Sequence, residues 1–175
     1  MSTDPRFPLG KFSWPQSVTE AELKHYIDRI AAQPANLRAA VAGLTQEQLD
    51  TPYREWGWTV RQVVHHIPES HMHSFIRFKL ALTEDKPTVK PYDEDAWGKL
   101  GDIAVTPIEV SMRLLDALHE RWVDLMHVLT PEQWKREFVH PELGVISLDK
   151  QAALYAWHGD HHIAHITELR KHRDW

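Results

Sequence analysis

The sequence predicts an all-α fold, an antiparallel four-helix bundle with a long crossover connection. Three observations predict it. Four segments carry apolar residues at helical spacing rather than in alternation. Threonine-led capping boxes and prolines mark where those segments begin. One connection, residues 84–106, is far longer than neighbouring helices of a bundle need. With 175 residues the chain is long enough for one domain with a real core, spanning 1–175.

Residues 1–17 carry three prolines and little periodicity, and predict an extended N-terminal arm. A first helix starts near Thr19 or Glu20 and runs through Tyr26, Ile27 and Ile30. Pro34 is expected to interrupt it before Leu37 resumes it, and Gly43 to stop it. Thr45-x-x-Gln48 caps a short turn, and a loop follows from Asp50 to Trp58. Thr59-x-x-Gln62 opens a second long helix reaching about Leu82, with Pro68 expected to kink it. Pro87, Pro91 and Gly101 fall in the long connection, which suggests a functional loop or a crossover. Thr106-Pro107-Ile108-Glu109 predicts a capped helix start. Ile108, Leu115, Trp122 and Leu129 then repeat every seven residues. Thr130-Pro131-Glu132-Gln133 opens a short turn, and Phe138 to Ile146 is irregular or briefly extended. Ser147 caps the last helix, Leu148 to about Lys171, whose basic end suits the helix dipole.

Hydrophobic residues at 42% and charged residues at 26% place the chain among soluble globular proteins. The net charge of −5 and the lack of a basic run argue against nucleic-acid partners. No apolar run reaches membrane-spanning length, and no signal peptide is visible, so a cytoplasmic location is expected. Cysteine is absent, which excludes disulfides, thiolate ligands and a cysteine nucleophile.

Chemistry must therefore rest on other side chains, and thirteen histidines stand out. On the last helix, Leu148, Tyr155, His162 and Leu169 share one heptad line. Gln151, His158 and His165 share the next. His158 and His162, four residues apart, therefore point the same way from the face that should be buried. Burying a row of imidazoles is costly unless something binds them, and a divalent metal is the most economical candidate. A catalytic ion wants three protein ligands and an open position. The second long helix offers His65, His66, His71 and His73, and periodicity does not choose between His65 and His66. His161 and His165 form another such pair, but His161 faces one step aside from the seam. His25, His119, His127, His140 and His172 read as surface or ordinary packing. No His-Glu-x-x-His, glycine-rich phosphate loop or Gly-x-Ser-x-Gly elbow is present.

Taken together, several stretches resemble the DinB-like superfamily, most closely its YfiT-type members. These are residues 49–55, Gly57-Trp58-Thr59-Val60-Arg61-Gln62-Val63-Val64-His65-His66, Ser70-His71-Met72, residues 76–80, residues 90–94, and Leu154-Tyr155-Ala156-Trp157-His158 through Ile166. Such members are described as metal-dependent hydrolases related to bacillithiol S-transferases. The resemblance implies a four-helix bundle, one metal per subunit and a homodimer. It implies three ligands, His66, His158 and His162, and so supplies the choice of His66. It also places the 51–58 loop and the Lys90-Pro91-Tyr92-Asp93 turn at the substrate entrance. Pro68, Glu69 and Trp56 depart from the family pattern, and Trp56 stands where glycine is common.

Three neutral imidazoles leave the full charge of a zinc or nickel ion on the site, zinc being expected first. That charge acidifies bound water and deprotonates a bound thiol. The expected function is transfer of a low-molecular-weight, bacillithiol-type thiol to a small-molecule electrophile. Metal-dependent hydrolysis is the alternative. A non-catalytic metal-binding stress protein, and a bundle whose histidines only pack, are the further readings. Glu69, Tyr155 and Asp160 are candidates for orienting the ligands.

Overall fold

The computed structural model describes residues 4–175; the first three residues of the predicted arm lie outside the described residues. Four long helices form the bundle: α1 (Glu20–Val41), α3 (Val60–Thr83), α6 (Ile108–His127) and α8 (Leu148–Arg173). Short helices join them: α2 (Gln46–Leu49), α4 (Glu94–Trp97), α5 (Gly101–Val105) and α7 (Pro131–Trp134). Complete capping boxes at Thr19–Glu22, Thr45–Gln48, Thr59–Gln62 and Thr130–Gln133 start α1, α2, α3 and α7. Gly43 follows α1 at φ +76°, the left-handed conformation that ends helices.

Long-range side-chain contacts give the helix directions. Arg29 meets Asp160, and Arg170 meets the Ala40 carbonyl, so α1 and α8 run parallel. His65 meets Ser111, and His71 meets His119, so α3 and α6 also run parallel. The two pairs oppose each other, since Ser74 meets Gln151 while Ser70 meets Tyr155. Antiparallel contacts therefore join α3 to α8 and α1 to α6, and the crossover joins the parallel neighbours α3 and α6. A parallel connection must return along the bundle, which accounts for the length of residues 84–107.

Three local expectations need correction. Pro34 does not interrupt α1, which runs unbroken through it. The proline removes one helical hydrogen bond, but Gln33 and Leu37 on either side are fully buried and hold both halves in one line. Thr106 is not a cap: α6 begins after Pro107 with no side-chain cap bond. Ser147 precedes α8 but makes no side-chain cap bond to it. The short extended stretch expected over 138–146 is an antiparallel hairpin, β1 (Glu137–His140) and β2 (Gly144–Ser147), with Phe138 opposite Ile146. Pro68 lies buried inside an α3 that stays continuous.

The core is divided. One apolar cluster, with Ile30, Phe78, Trp122, Phe138 and Leu148, lies under the hairpin. A second, with Leu37, Val64, Ile67, Leu115 and Ile166, fills the opposite half. Between them, at one level of the bundle, each long helix contributes polar side chains: Gln33, His66 to His71, His119, and His158 to His162. Such a layer interrupts apolar packing, so it persists only where its groups are satisfied by partners or by a ligand.

Candidate metal centre

Two helices build the centre. The Thr59 box fixes where α3 starts, and His66 follows two turns later, aimed at α8. His65 turns instead to α6, where its Nδ1 meets Ser111 Oγ at 2.7 Å. His158 and His162 come from adjacent turns of α8. One ring nitrogen from each of His66, His158 and His162 lies within 4.8 Å of the others. The Nε2 atoms of His66 and His158 are 3.4 Å apart. A tetrahedral ion about 2.1 Å from each nitrogen would hold its donors about 3.4 Å apart. The donor set therefore fits a divalent ion. Burial holds all three imidazoles well below their ordinary basicity, and the neighbouring histidines push the same way. Neutral rings with free lone pairs are the form that ligates metal.

A chain of hydrogen bonds orients His158. The Ile30 carbonyl can only accept, so His119 Nδ1 donates to it, at 2.7 Å. Neutral His119 then accepts at Nε2 from His71 Nδ1, at 2.8 Å. His71 Nε2 in turn accepts from His158 Nδ1, at 3.2 Å. The proton of His158 is thereby held on Nδ1, and its Nε2 lone pair is left for the centre. His71 and His119 were not expected in this role, although the spacing contained the sign. His71 stands seven residues after Val64 and four after Ile67, and His119 lies between Leu115 and Trp122 on the apolar stripe of α6.

The other candidates divide. Tyr155 is buried in the cavity wall, with its hydroxyl 3.2 Å from Ser70 Oγ. Asp160 does not reach the triad: it pairs with Arg29 at 2.8 Å and with Gln33, facing α1 rather than the centre. Glu69 is half-buried, which raises its basicity, but it does not line the cavity. His161 and His165 face the arm and the 51–58 loop; His165 stacks on Tyr53 at 4.0 Å, and His161 on Trp157 at 4.3 Å.

The triad opens into a cavity of about 490 Å³, within the range of small-molecule sites. Trp58 forms its inner wall beside His66 and is tied to Asp95 by its indole N–H at 3.1 Å. Pro91 and Tyr92 of the crossover and His140 and Glu142 of the hairpin close the far side, while Lys90 and Asp93 border a neighbouring cavity. Trp56 stands at the mouth, 92% exposed at φ +59°. That is a strained conformation for a bulky side chain and an ordinary one for glycine.

The DinB superfamily model matches residues 29–166. The chain belongs to the DinB superfamily. Within it, the chain is 51% identical over 172 residues to a protein of Bacillus cereus strain B4264 named "Putative metal-dependent hydrolase", covering 98% of this chain and 99% of that one. A Bacillus mycoides protein of the same description is 50% identical over the same span. The solved structure of YfiT from Bacillus subtilis superposes with a TM-score of 0.96 at 46% identity, covering 99% of both chains. YfiT is described as a probable metal-dependent hydrolase with an unusual four-helix bundle topology. This DinB superfamily chain has the same fold, with parallel neighbours α1–α8 and α3–α6. Among the described residues no helix is long and apolar enough to cross a membrane.

The buried histidines set an acid limit. His119 is held down to about 4, first by burial, against an ordinary value of 6.5. Above pH 6.5 the ring is neutral in both folded and unfolded chains. Below it only the unfolded chain takes up the proton, so stability falls with pH until about pH 4, where the folded ring also protonates. His119 alone accounts for roughly 3 kcal/mol across that window. Thermal unfolding of metal-free protein should therefore drop steeply between pH 6.5 and pH 4. In a His119→Phe variant the slope should be visibly shallower; an unchanged slope contradicts the assignment.

Proposed function

We propose that the chain is a metal-dependent enzyme in which His66, His158 and His162 hold one divalent ion, zinc first and nickel second. The observation that carries this reading is the 3.4 Å approach of His66 Nε2 to His158 Nε2, two neutral donors facing each other at metal-ligand spacing. An ion bound there supplies a strong local positive charge, which makes water or a thiol available as a nucleophile near neutral pH. The chain's own residues supply the rest. The His119–His71 relay aims the His158 lone pair. Trp58 shields one side of the centre from water, and the Tyr155 hydroxyl in the cavity wall donates to the Ser70 carbonyl, which ties α8 to α3 beside the triad.

The reaction proposed first is transfer of a low-molecular-weight, bacillithiol-type thiol to a small electrophile. No carboxylate hydrogen-bonds to the triad among the described residues, and those that line the cavity, Glu94, Asp95 and Glu142, are exposed. A thiol needs no such base, since the metal charge alone removes its proton. The chain's lack of cysteine fits a sulfur that arrives with a cosubstrate. Hydrolysis at the same centre is the second reading, favoured by the names of the relatives. A homodimer, as the family resemblance implies, belongs to the same proposal.

The test is a turnover screen on zinc- and nickel-loaded protein. Monobromobimane with and without bacillithiol reports thiol transfer, and nitrophenyl esters report hydrolysis. Thiol-dependent product that needs the metal supports the first reading, and ester cleavage without thiol supports the second. Bound metal without either product leaves a binder and overturns the enzyme.

A further inference from the structure

Arg77 borders the metal cavity from α3 and also a smaller cavity beyond Pro91 and Tyr92. It is 8% exposed. Arg61, equally buried on the same helix, shows how a buried guanidinium is settled: it pairs with Asp50 at 2.7 Å and donates to Gln46 at 2.8 Å. Arg77 has no counterpart to either. It makes no hydrogen bond to any described residue, and no described carboxylate lies within 4.0 Å of it. Its nitrogens are not among the sealed polar atoms, so they reach the cavity. A guanidinium cannot escape burial by losing its proton, and an unpaired buried cation is costly. The cavity side of Arg77 is therefore open to an anion from outside the chain.

His140 strengthens this point. It is 6% exposed and lies in the same cavity wall. The Glu142 backbone N–H donates to its Nδ1, at 3.3 Å. The proton of the neutral ring therefore sits on Nε2, which is left as a donor. Burial lowers the basicity of His140, and the charge of Arg77 lowers it further, which keeps the ring neutral; both residues border the metal cavity. Glu94, Asp95 and Glu142 border the same cavity, but all three are exposed.

We propose that Arg77 and the Nε2–H of His140 form an anion subsite in the wall of the metal cavity, taking a carboxylate or phosphate group of the substrate or thiol cosubstrate. It deepens the proposed function by naming the ligand as anionic, and rests on that reading only for placing the reacting end at the triad. A guanidinium fork matches either anion with two parallel hydrogen bonds.

The experiment titrates zinc-loaded full-length protein with inorganic phosphate, with succinate and with uncharged succinamide, by calorimetry, while zinc content is measured in parallel. Phosphate or succinate should bind and succinamide should not; the better of the two anions identifies the group. Arg77→Met should weaken anion binding about tenfold or more with zinc still stoichiometric, and Arg77→Lys should recover part of it. Equal binding by Arg77→Met places the anion on the metal and overturns the subsite. So does equal binding of succinamide, or no anion binding by the unmodified chain. Should Arg77→Met fail to fold, Arg77→Lys and the succinate–succinamide contrast still decide. His158→Ala separates the two ideas: anion binding that survives loss of zinc supports the subsite alone, and zinc binding without anion binding supports the centre alone.

Discussion

His158→Ala should lose zinc that the unmodified chain holds at one ion per subunit. Zinc binding by small protein sites is worth roughly 10–16 kcal/mol, so one ligand of three carries on the order of 4 kcal/mol, a loss of about 10³-fold in affinity. The more discriminating variant is His119→Phe, which lies two hydrogen bonds away from the centre. Phenylalanine keeps the flat ring but removes the acceptor for His71 Nδ1. His71 is then free to carry its proton on Nε2 and donate to His158 Nδ1. That moves the proton of His158 onto Nε2, the atom that faces His66. Zinc affinity should fall about 10–100-fold, as expected when a partner that orients a ligand is lost. Competition with a zinc chelator measures the affinity, and ¹⁵N shifts of the ring nitrogens report the tautomer directly. Unchanged affinity in His119→Phe, with the protein folded, would falsify the relay.

Gly159→Ala should destabilise the fold, although alanine is the better helix former by about 1 kcal/mol. A Cβ at Gly159 would lie 2.3 Å from Gln33 Cδ and 2.4 Å from its Oε1. Gln33 has no room to retreat: it is fully buried, and its amide donates to the Tyr155 and Ala156 carbonyls and to Asp160. Displacing it breaks those bonds and pushes α1 off α8. Overpacking plus lost buried hydrogen bonds costs roughly 2–4 kcal/mol, or a fall of about 4–16 °C in Tm at this chain length. The double variant Gly159→Ala with Gln33→Ala should recover part of the loss. If the single variant is as stable as the parent, the close approach of α1 and α8 does not depend on glycine.

The bundle and two of the three histidines of the candidate centre were legible in the sequence because they are local. His158 and His162 lie four residues apart on one helix, and helical periodicity alone sets them side by side on the buried face. The capping boxes at Thr45 and Thr59 were readable for the same reason, since each closes within four residues. Pro34 misled because its local cost is offset by packing on both sides, which no window of sequence contains. His65 and His66 are neighbours on the same helix, both buried. What separates them is which helix each ring meets, α6 for His65 and α8 for His66.

The sequence by itself determined four amphipathic helices, a long crossover and a paired imidazole donor on the last helix. Each of these follows from the backbone period acting over a few turns. Only the tertiary structure decided that α3 runs parallel to α6, which brings His71 onto His119 and turns two packing histidines into an orienting relay. It also decided that the hairpin folds His140 against the cavity that Arg77 borders. Pairings across dozens of residues are set by how whole helices stack their faces, and no local spacing records them.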